Sequence, residues 1–285
     1  MLGAEREGKT AIPERLFKIL HTCGSTNGTG FFPATEIFNE GWMLRLVLDC
    51  LQTLNIQGHP LAFLKRSRWF SEALLSSPFR PRIKQDPLGE GFTNADAVIG
   101  HFDFRGSTKT GLSLGPDAKQ FVVLEAKMFS NLSSGTKNAP LYNQAARNVA
   151  CMASAIAKSG QTLSSLESVG FFVIAPGLSI RGQWSTNLEM CLDPSSIHSV
   201  VRERIAAYSN AQRKEDTELR EWEKDYFLPL MLRLTDEKRI AVLSWETIID
   251  EISAADPSCG LELSQFYNRC LTFAPTFAKG SLEPA

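Results

Sequence analysis

The pattern of apolar and polar residues along the chain predicts alternating helices and strands. A loop rich in Gly, Ser, Thr and Pro at 21–35 precedes Asn39, which is a suitable N-cap for a helix through EGWMLRLVLDCLQTL. Arg45, Asp49 and Gln52 interrupt the apolar surface of this helix. We therefore expect a helix that is largely buried.

Short β-rich runs follow this helix. NADAVIGHFDF (94–104) and KQFVVLEAKMF (119–129) are separated by a Gly-rich turn region, and we expect them to be neighbouring strands. Residues 138–158 show helical periodicity, and VGFFVIAP (169–176) is typical of a buried strand closed by proline. The segment after Pro60, LAFLKRSRWFSEALLSS, fits neither period and stays unassigned.

The last third of the chain differs from the rest. Residues 194–234 are helical in pattern and rich in charge, while 239–252 predicts a strand followed by a short helix. No internal repeat is present. The expected organisation is one α/β core with an extension, and its three parts are an N-terminal segment (1–34), the core (35–190) and a mostly helical C-terminal extension packed on the core (191–280).

Composition and charge narrow the class of protein. Hydrophobic residues make up 43% of the 285 residues and charged residues 21%, which is enough to bury a substantial core. The net charge of −1 argues against a surface coated in basic residues, so any polyanion site must be local. The six cysteines show neither CxxC nor zinc-ligand spacing, and several lie in apolar helical stretches, which is typical of free buried thiols. The charged N-terminus and the lack of a run of ~20 apolar residues predict a soluble protein of a reducing cytoplasm, away from membranes.

An acid and a base interrupt the most apolar run. Glu125 and Lys127 are two residues apart, which places both side chains on one face of a strand. The acid-x-Lys spacing is weak evidence by itself, since the chain contains four such matches. Charges in a buried strand must be paired or bound to a metal, and a structural ion pair would satisfy that requirement.

A second carboxylate favours a metal site over a simple ion pair. Asp96 lies at the start of the preceding apolar run, and it would come near Glu125 if the two strands pair. Two carboxylates offer the hard oxygen ligands that suit Mg²⁺ or Mn²⁺. Lys127 beside such an ion would hold or deprotonate a water molecule, or neutralise the charge that develops on a phosphate.

These residues resemble the PD-(D/E)XK nuclease superfamily, also called restriction-endonuclease-like. The resemblance rests on Asp96, on Glu125-Ala126-Lys127 and on Gln144 in the next helix, and it spans roughly residues 35–176. It implies an α/β core with the order αβββαβ, in which a central mixed sheet is flanked by helices. The first of the three strands has no clear counterpart in the sequence pattern.

The resemblance also implies roles. Asp96, Glu125 and the carbonyl of Ala126 would bind Mg²⁺ (or Mn²⁺), Lys127 would assist the attacking water, and the products would carry 5′-phosphates. Gln144 would belong to the catalytic group. An acidic residue on the first helix would complete the metal ligands, and Glu40 is the candidate, in competition with Glu36, Glu72 and Glu90.

The chain departs from the superfamily pattern at two points. Ala95 replaces the proline that usually precedes the metal-binding Asp, a change that removes no ligand. The separation of Asp96 from Glu125 is long, and it requires GSTKTGLSLGPD to form a loop. His101 and Asp103 lie near this loop and could be metal-related, although a histidine in a strand is more often structural.

Local basic residues suggest contacts to nucleic acid. The segment LKRSRWFSEALLSSPFRPRIK interleaves aromatic residues with six basic ones and a single acid, which suits a phosphate backbone and a stacked base. The alternative is a solvated helix face. Arg147, one turn from Gln144, is a further candidate, unless it too lies on a solvated face. The expected contacts are Lys65, Arg66, Arg68, Arg80, Arg82 and Arg147.

The sequence therefore predicts a Mg²⁺-dependent nuclease whose partner is nucleic acid, with DNA favoured over RNA. A rival from another class is a catalytically inactive nuclease-like domain that binds nucleic acid or a protein partner. A third possibility is an ion pair in an unrelated α/β enzyme, which would bind no divalent ion at these residues.

Overall fold

The protein folds around a five-stranded mixed sheet. The computed structural model describes residues 12–25, 31–105, 111–136, 139–182, 184–210 and 217–273. The sheet has the strand order β1-β2-β5-β6-β7, and β3 and β4 form a separate two-stranded hairpin. The strands are β1 (Arg68–Ser76), β2 (Phe92–Gly100), β3 (Phe102–Phe104), β4 (Leu112–Leu114), β5 (Gln120–Ala126), β6 (Ser168–Ala175) and β7 (Ile240–Ser244).

Helices cover both faces of the sheet. They are α1 (Ile12–Ser25), α2 (Glu40–Leu54), α3 (Gln144–Ser159), α4 (Gly177–Arg181), α5 (Ser185–Leu192), α6 (Pro194–Asn210), α7 (Thr217–Trp222), α8 (Leu228–Asp236), α9 (Trp245–Ala255) and α10 (Pro257–Thr272). A π-helical stretch, Glu223–Phe227, joins α7 to α8. None of the helices in the described ranges combines the length and the apolar character needed to cross a membrane.

Strand direction changes at β5. The strands β1, β2 and β5 pair antiparallel, whereas β5, β6 and β7 pair parallel. The parallel step from β5 to β6 is made by α3, because parallel neighbours need a long crossover that is usually helical. All seven residues of β5 are buried, as expected for a strand with sheet on both sides and helices above and below.

Two hydrophobic cores lie on opposite faces of the sheet. Val123 belongs to the core under α3, and its neighbour Leu124 belongs to the core under α2, α9 and α10. The alternation of side chains along β5 thus serves both layers. Glu125 follows Val123 by two residues and faces α3.

Several expectations are confirmed. Asn39 caps α2, since its side chain accepts a hydrogen bond from the backbone N–H of Trp42 at 3.0 Å. The runs at 94–104 and 119–129 contribute the neighbouring strands β2 and β5. The strand predicted at 169–176 is present as β6. The strand and helix predicted at 239–252 are present as β7 and α9.

Two predicted boundaries are wrong. The helix predicted at 138–158 begins at Gln144, because the Asn143 side chain caps it by accepting from the Ala146 N–H at 2.9 Å; Asn138 itself is outside the described residues. The segment predicted as a loop, GSTKTGLSLGPD, contains strand β4, which pairs with β3. Residues 106–110 of that segment are not among those described.

Other findings go beyond the sequence patterns. The unassigned segment after Pro60 supplies β1, the edge strand beside β2. The mostly helical segment 191–280 supplies β7, the other edge of the same sheet. Whereas the sequence indicated free thiols for several cysteines, Cys50 of α2 and Cys259 of α10 form a disulfide.

Candidate active site

The sheet register brings Asp96 and Glu125 together. Ala97 of β2 pairs with Leu124 of β5, so the next residues outward on the two strands are Asp96 and Glu125. Both carboxyl groups lie on the α3 side and are within hydrogen-bonding reach of each other. Asp96 Oδ2 also accepts a hydrogen bond from the Ala126 N–H at 2.7 Å, which fixes the aspartate against β5.

Glu125 is the centre of a dense polar cluster. Its side chain is 1% exposed, and Oε1 accepts from Lys127 Nζ at 2.7 Å and from Gln144 Nε2. Oε2 accepts from Asn148 Nδ2 at 3.3 Å. Three donors from β5 and α3 therefore converge on one buried carboxylate, as the cost of burying a charged group requires.

The backbone holds Gln144 in one orientation. The Gln144 amide oxygen accepts from the Ser133 N–H at 3.2 Å, so its nitrogen faces Glu125. The Gln144 N–H in turn donates to the Ser133 carbonyl at 3.0 Å. The start of α3 is thus locked to the loop after β5, and the amide is presented to the carboxylate without a free choice of rotamer.

The strand also positions Lys127. Its N–H donates to the Ile174 carbonyl of β6 at 2.8 Å, and its own carbonyl accepts from Trp245 Nε1 at 2.9 Å. These bonds continue the strand geometry past Ala126 and keep the Lys127 side chain, 12% exposed, on the face of Glu125.

Burial, and after it the neighbouring Asp96 carboxylate, raises the pKa of Glu125 to about 8, while Lys127 acts in the opposite direction. Two carboxylates close together cannot both be ionised cheaply. A cation bound between them would reduce this repulsion.

This pKa predicts that Glu125 makes the protein less stable as pH rises. The folded-state pKa lies above the unfolded value, so the favourable contribution is complete below about pH 4.5 and is lost as pH rises towards 8. Replacing Glu125 by Gln removes the ionisation. In the absence of divalent ions we expect Glu125→Gln to be more stable than the wild type by on the order of 2 kcal/mol at pH 8.5.

Urea unfolding at pH 5.5 and 8.5 in chelator measures this effect. The stability gain of Glu125→Gln should be larger at the higher pH. A gain that is equal at both values, or a loss that grows with pH, would contradict the assignment. Glu203→Gln, a substitution on α6 outside the cluster, is the control, and we expect its effect to be within 0.5 kcal/mol at either pH, as is usual for surface changes (about ±0.5 kcal/mol).

The strand next to Asp96 is irregular at the same position. Ser71 pairs with Ala97 and Ala73 with Ala95, but the ladder omits the pair between them, Glu72 and Asp96. Glu72 has a φ of 56°, which is uncommon for a residue with a side chain. Such backbone conformations concentrate at functional sites.

Three of the four acidic residues weighed as a third ligand have other neighbours. Glu72 is on β1 and pairs with Arg45 at 3.5 Å, while Glu90 pairs with Arg147 at 2.9 Å. Glu40, the first-helix candidate, lies beside Cys270, whose pKa is raised by burial and then by Glu40. Within the described ranges no group of three His, Cys, Asp or Glu side chains is placed to hold a metal.

The predicted basic residues separate into different places. Lys65, Arg66 and Arg68 line one cavity, whereas Arg80 and Arg82 line another. Arg82 is further engaged by Asp86 at 3.0 Å. The interpretation of this segment as one solvated helix face is wrong, because residues 68–76 form strand β1.

Two further residues contact the site and were not among the predicted site residues. Asn148 is fully buried and donates to Glu125. Trp245 is fully buried, and its indole N–H donates to the Lys127 carbonyl. Only the spacing of Gln144 and Asn148, one helical turn apart, could have suggested that both donors face the same carboxylate.

Comparison with family models, with curated proteins and with solved structures finds no match to this chain.

The residues fit a divalent cation held by few protein ligands. Asp96 and Glu125 offer adjacent carboxylate oxygens, and Asp96 is partly accessible. Mg²⁺ commonly binds through one or two carboxylates and keeps several waters. The pair suits that arrangement, whereas a closed cage of protein ligands is not what these side chains make.

Proposed function

We propose that this protein is a metal-dependent phosphodiesterase that cleaves nucleic acid, with DNA as the favoured substrate. The observation that carries the proposal is the buried cluster in which Asp96, Glu125, Lys127 and Gln144 meet. The order α2, β1, β2, β5, α3, β6 in the main sheet and its helices supports it, since it matches the αβββαβ order of the PD-(D/E)XK superfamily.

The cluster contains the parts that phosphodiester hydrolysis needs. Mg²⁺ or Mn²⁺ held by Asp96, Glu125 and the Ala126 carbonyl would act as a Lewis acid and lower the pKa of a bound water. Lys127 carries a positive charge beside the carboxylates and can orient a nucleophilic water or offset the charge on the phosphate. Gln144 and Asn148 keep Glu125 in place by hydrogen bonds from α3.

Incubation with circular plasmid and with linear DNA tests the proposal. We expect the DNA to be degraded with Mg²⁺ or Mn²⁺ and to stay intact with chelator. Loss of circles would show internal cutting, and loss of linear DNA alone would show attack from ends. Absence of cleavage of DNA and of RNA under all these conditions would contradict an active nuclease.

One observation favours a catalytically inactive binding domain as the second candidate. Glu125 is already hydrogen-bonded by Lys127, Gln144 and Asn148, so its charge is satisfied without a metal. An inactive domain would retain DNA or a protein partner and leave DNA uncut whichever metal is present. Binding measured alongside cleavage separates the two candidates.

A further inference from the structure

A second polar cavity lies at the other end of β5. It has a volume of 830 Å³ and is lined by the turn before β1, by the end of β2 and by the segment leading into β5. Gln120 and Glu125 are five residues apart on β5, so the cavity is about 17 Å from the carboxylate cluster at ~3.3 Å per residue. It is thus separate from the candidate active site.

The cavity has a positive lining on a chain whose net charge is −1. Four basic and two acidic side chains line it, an excess of two positive charges. Along the described part of the chain, no hydrogen bond or ion pair occupies the ends of the Lys65 and Arg66 side chains. Lys119 Nζ donates to the Ser165 carbonyl at 3.3 Å. The charged lining residues are Lys65, Arg66, Arg68, Lys119, Asp103 and Asp117.

The turn that carries the two free cations is held rigidly. The buried side chain of Gln120 accepts from the Leu64 N–H at 3.0 Å and donates to the Ala62 carbonyl at 2.7 Å. His101 Nδ1 accepts from the Lys119 and Gln120 N–H groups at 3.3 and 3.2 Å, so its proton is on Nε2, which donates to the Lys65 carbonyl at 2.9 Å. His101 is therefore a structural residue of this cavity.

The backbone of the turn is unusual. The Ser67 N–H bonds the Leu64 carbonyl at 2.9 Å, and Arg66, the third residue of the turn, has a φ of 68°. Glycine is the usual residue at such a position. An arginine there presents a charged side chain at a conformational cost, which is a feature of functional sites.

The Arg68 side chain is also pre-organised, because neighbouring groups fix its guanidinium before any anion binds. Its guanidinium donates to the Phe102 carbonyl at 2.5 Å and lies over the rings of Phe102 and Phe104, at 4.7 and 5.5 Å from their centroids. Asp103 approaches it at 3.8 Å, with an aspartate side chain that is 82% exposed. A cation fixed in this way loses little freedom when it binds an anion.

We propose that this cavity is a phosphate-binding site for a nucleotide or a nucleic-acid strand. Lys65, Arg66 and Arg68 contact the phosphate. Binding at this site needs no divalent ion and does not depend on cleavage. It can therefore be tested independently of the proposed nuclease activity.

Binding measured in chelator tests this site in the full-length protein. The probes are inorganic phosphate, adenosine monophosphate and a fluorescein-labelled 20-nucleotide single-stranded DNA. We expect the double substitution Lys65→Gln/Arg66→Gln to weaken binding of at least one probe tenfold or more. If DNA is the ligand, the slope of log affinity against log salt should also fall by about 1.4, since each phosphate contact to a single strand contributes roughly 0.7.

Two further variants make the result specific. Lys224→Gln/Arg202→Gln removes two exposed cations that do not line the cavity and should change the affinity by less than twofold. Asp103→Asn removes a negative charge from the lining and should strengthen binding. If the Lys65/Arg66 variant loses affinity for adenosine monophosphate, the ligand is a nucleotide. If it loses affinity for the DNA alone, the ligand is a nucleic-acid strand. Wild-type affinity of the Lys65/Arg66 variant for all three probes, or an equal loss of affinity in the Lys224/Arg202 variant, would overturn the proposal.

Discussion

Replacement of Glu125 by Gln should reduce DNA hydrolysis at least about 10³-fold while the protein stays folded. The change keeps the size of the side chain and removes the charge that would bind the metal ion. Electrostatic groups at a reacting centre are commonly worth factors of 10²–10³ each, and loss of the metal would remove more than one such contribution. Initial rates of plasmid cleavage with Mn²⁺ measure the effect.

Glu262→Gln is the control for this substitution, and it should cleave at the wild-type rate because Glu262 is exposed on α10, which packs on the sheet face opposite α3. Circular dichroism and the melting temperature should show that Glu125→Gln is folded. A Glu125→Gln protein that cleaves within fivefold of the wild type would remove Glu125 from the catalytic group.

Replacement of Trp245 by Ala should destabilise the protein by about 3–5 kcal/mol, the range for truncating a large buried aromatic residue. Trp245 is fully buried in the core under α2, α9 and α10. The substitution also removes the hydrogen bond from its indole to the Lys127 carbonyl. Urea unfolding at pH 7 measures the change in free energy.

Trp42→Ala is the matched control, since Trp42 is 40% exposed on α2 and should cost about 1 kcal/mol or less. Trp245→Phe should lie between the two in stability. It retains most of the packing but lacks the N–H that holds the Lys127 carbonyl, so we also expect slower cleavage. Equal effects of Trp245→Ala and Trp42→Ala would contradict the described core.

The elements that the sequence predicted well have strong local signals. Asn39 has the side chain that an N-cap requires, and β5 and β6 each contain a run of at least four apolar residues. The pairing of the strands that bear Asp96 and Glu125 could also be predicted, because two adjacent β-rich runs joined by a turn region are usually neighbours. These features depend on residues close together in the chain.

The elements that were missed depend on distant partners or on irregular backbone. The apolar alternation of β1 is interrupted at Glu72, where φ is positive, so neither a helix nor a strand period fits the segment. β7 completes the sheet from the far end of the chain, and its place beside β6 is a tertiary contact. No local pattern reports such a pairing.

In the candidate site, too, local spacing was predictive and tertiary contacts were not. The spacing of Glu125 and Lys127 predicted that they share a face, and the structure joins them at 2.7 Å. The third acid could not be chosen by pattern, because no spacing to Asp96 or Glu125 distinguishes Glu36, Glu40, Glu72 and Glu90. The partners of Glu72 and Glu90, which are Arg45 and Arg147, become visible only in the fold.

Calorimetric titration with Mn²⁺ tests the central claim that Asp96 and Glu125 together hold a divalent cation. We predict that the wild-type protein binds at least one ion per chain at pH 8 and that Asp96→Ala weakens this binding tenfold or more. Absence of Mn²⁺ binding by the wild type, or unchanged binding by Asp96→Ala, would contradict the account.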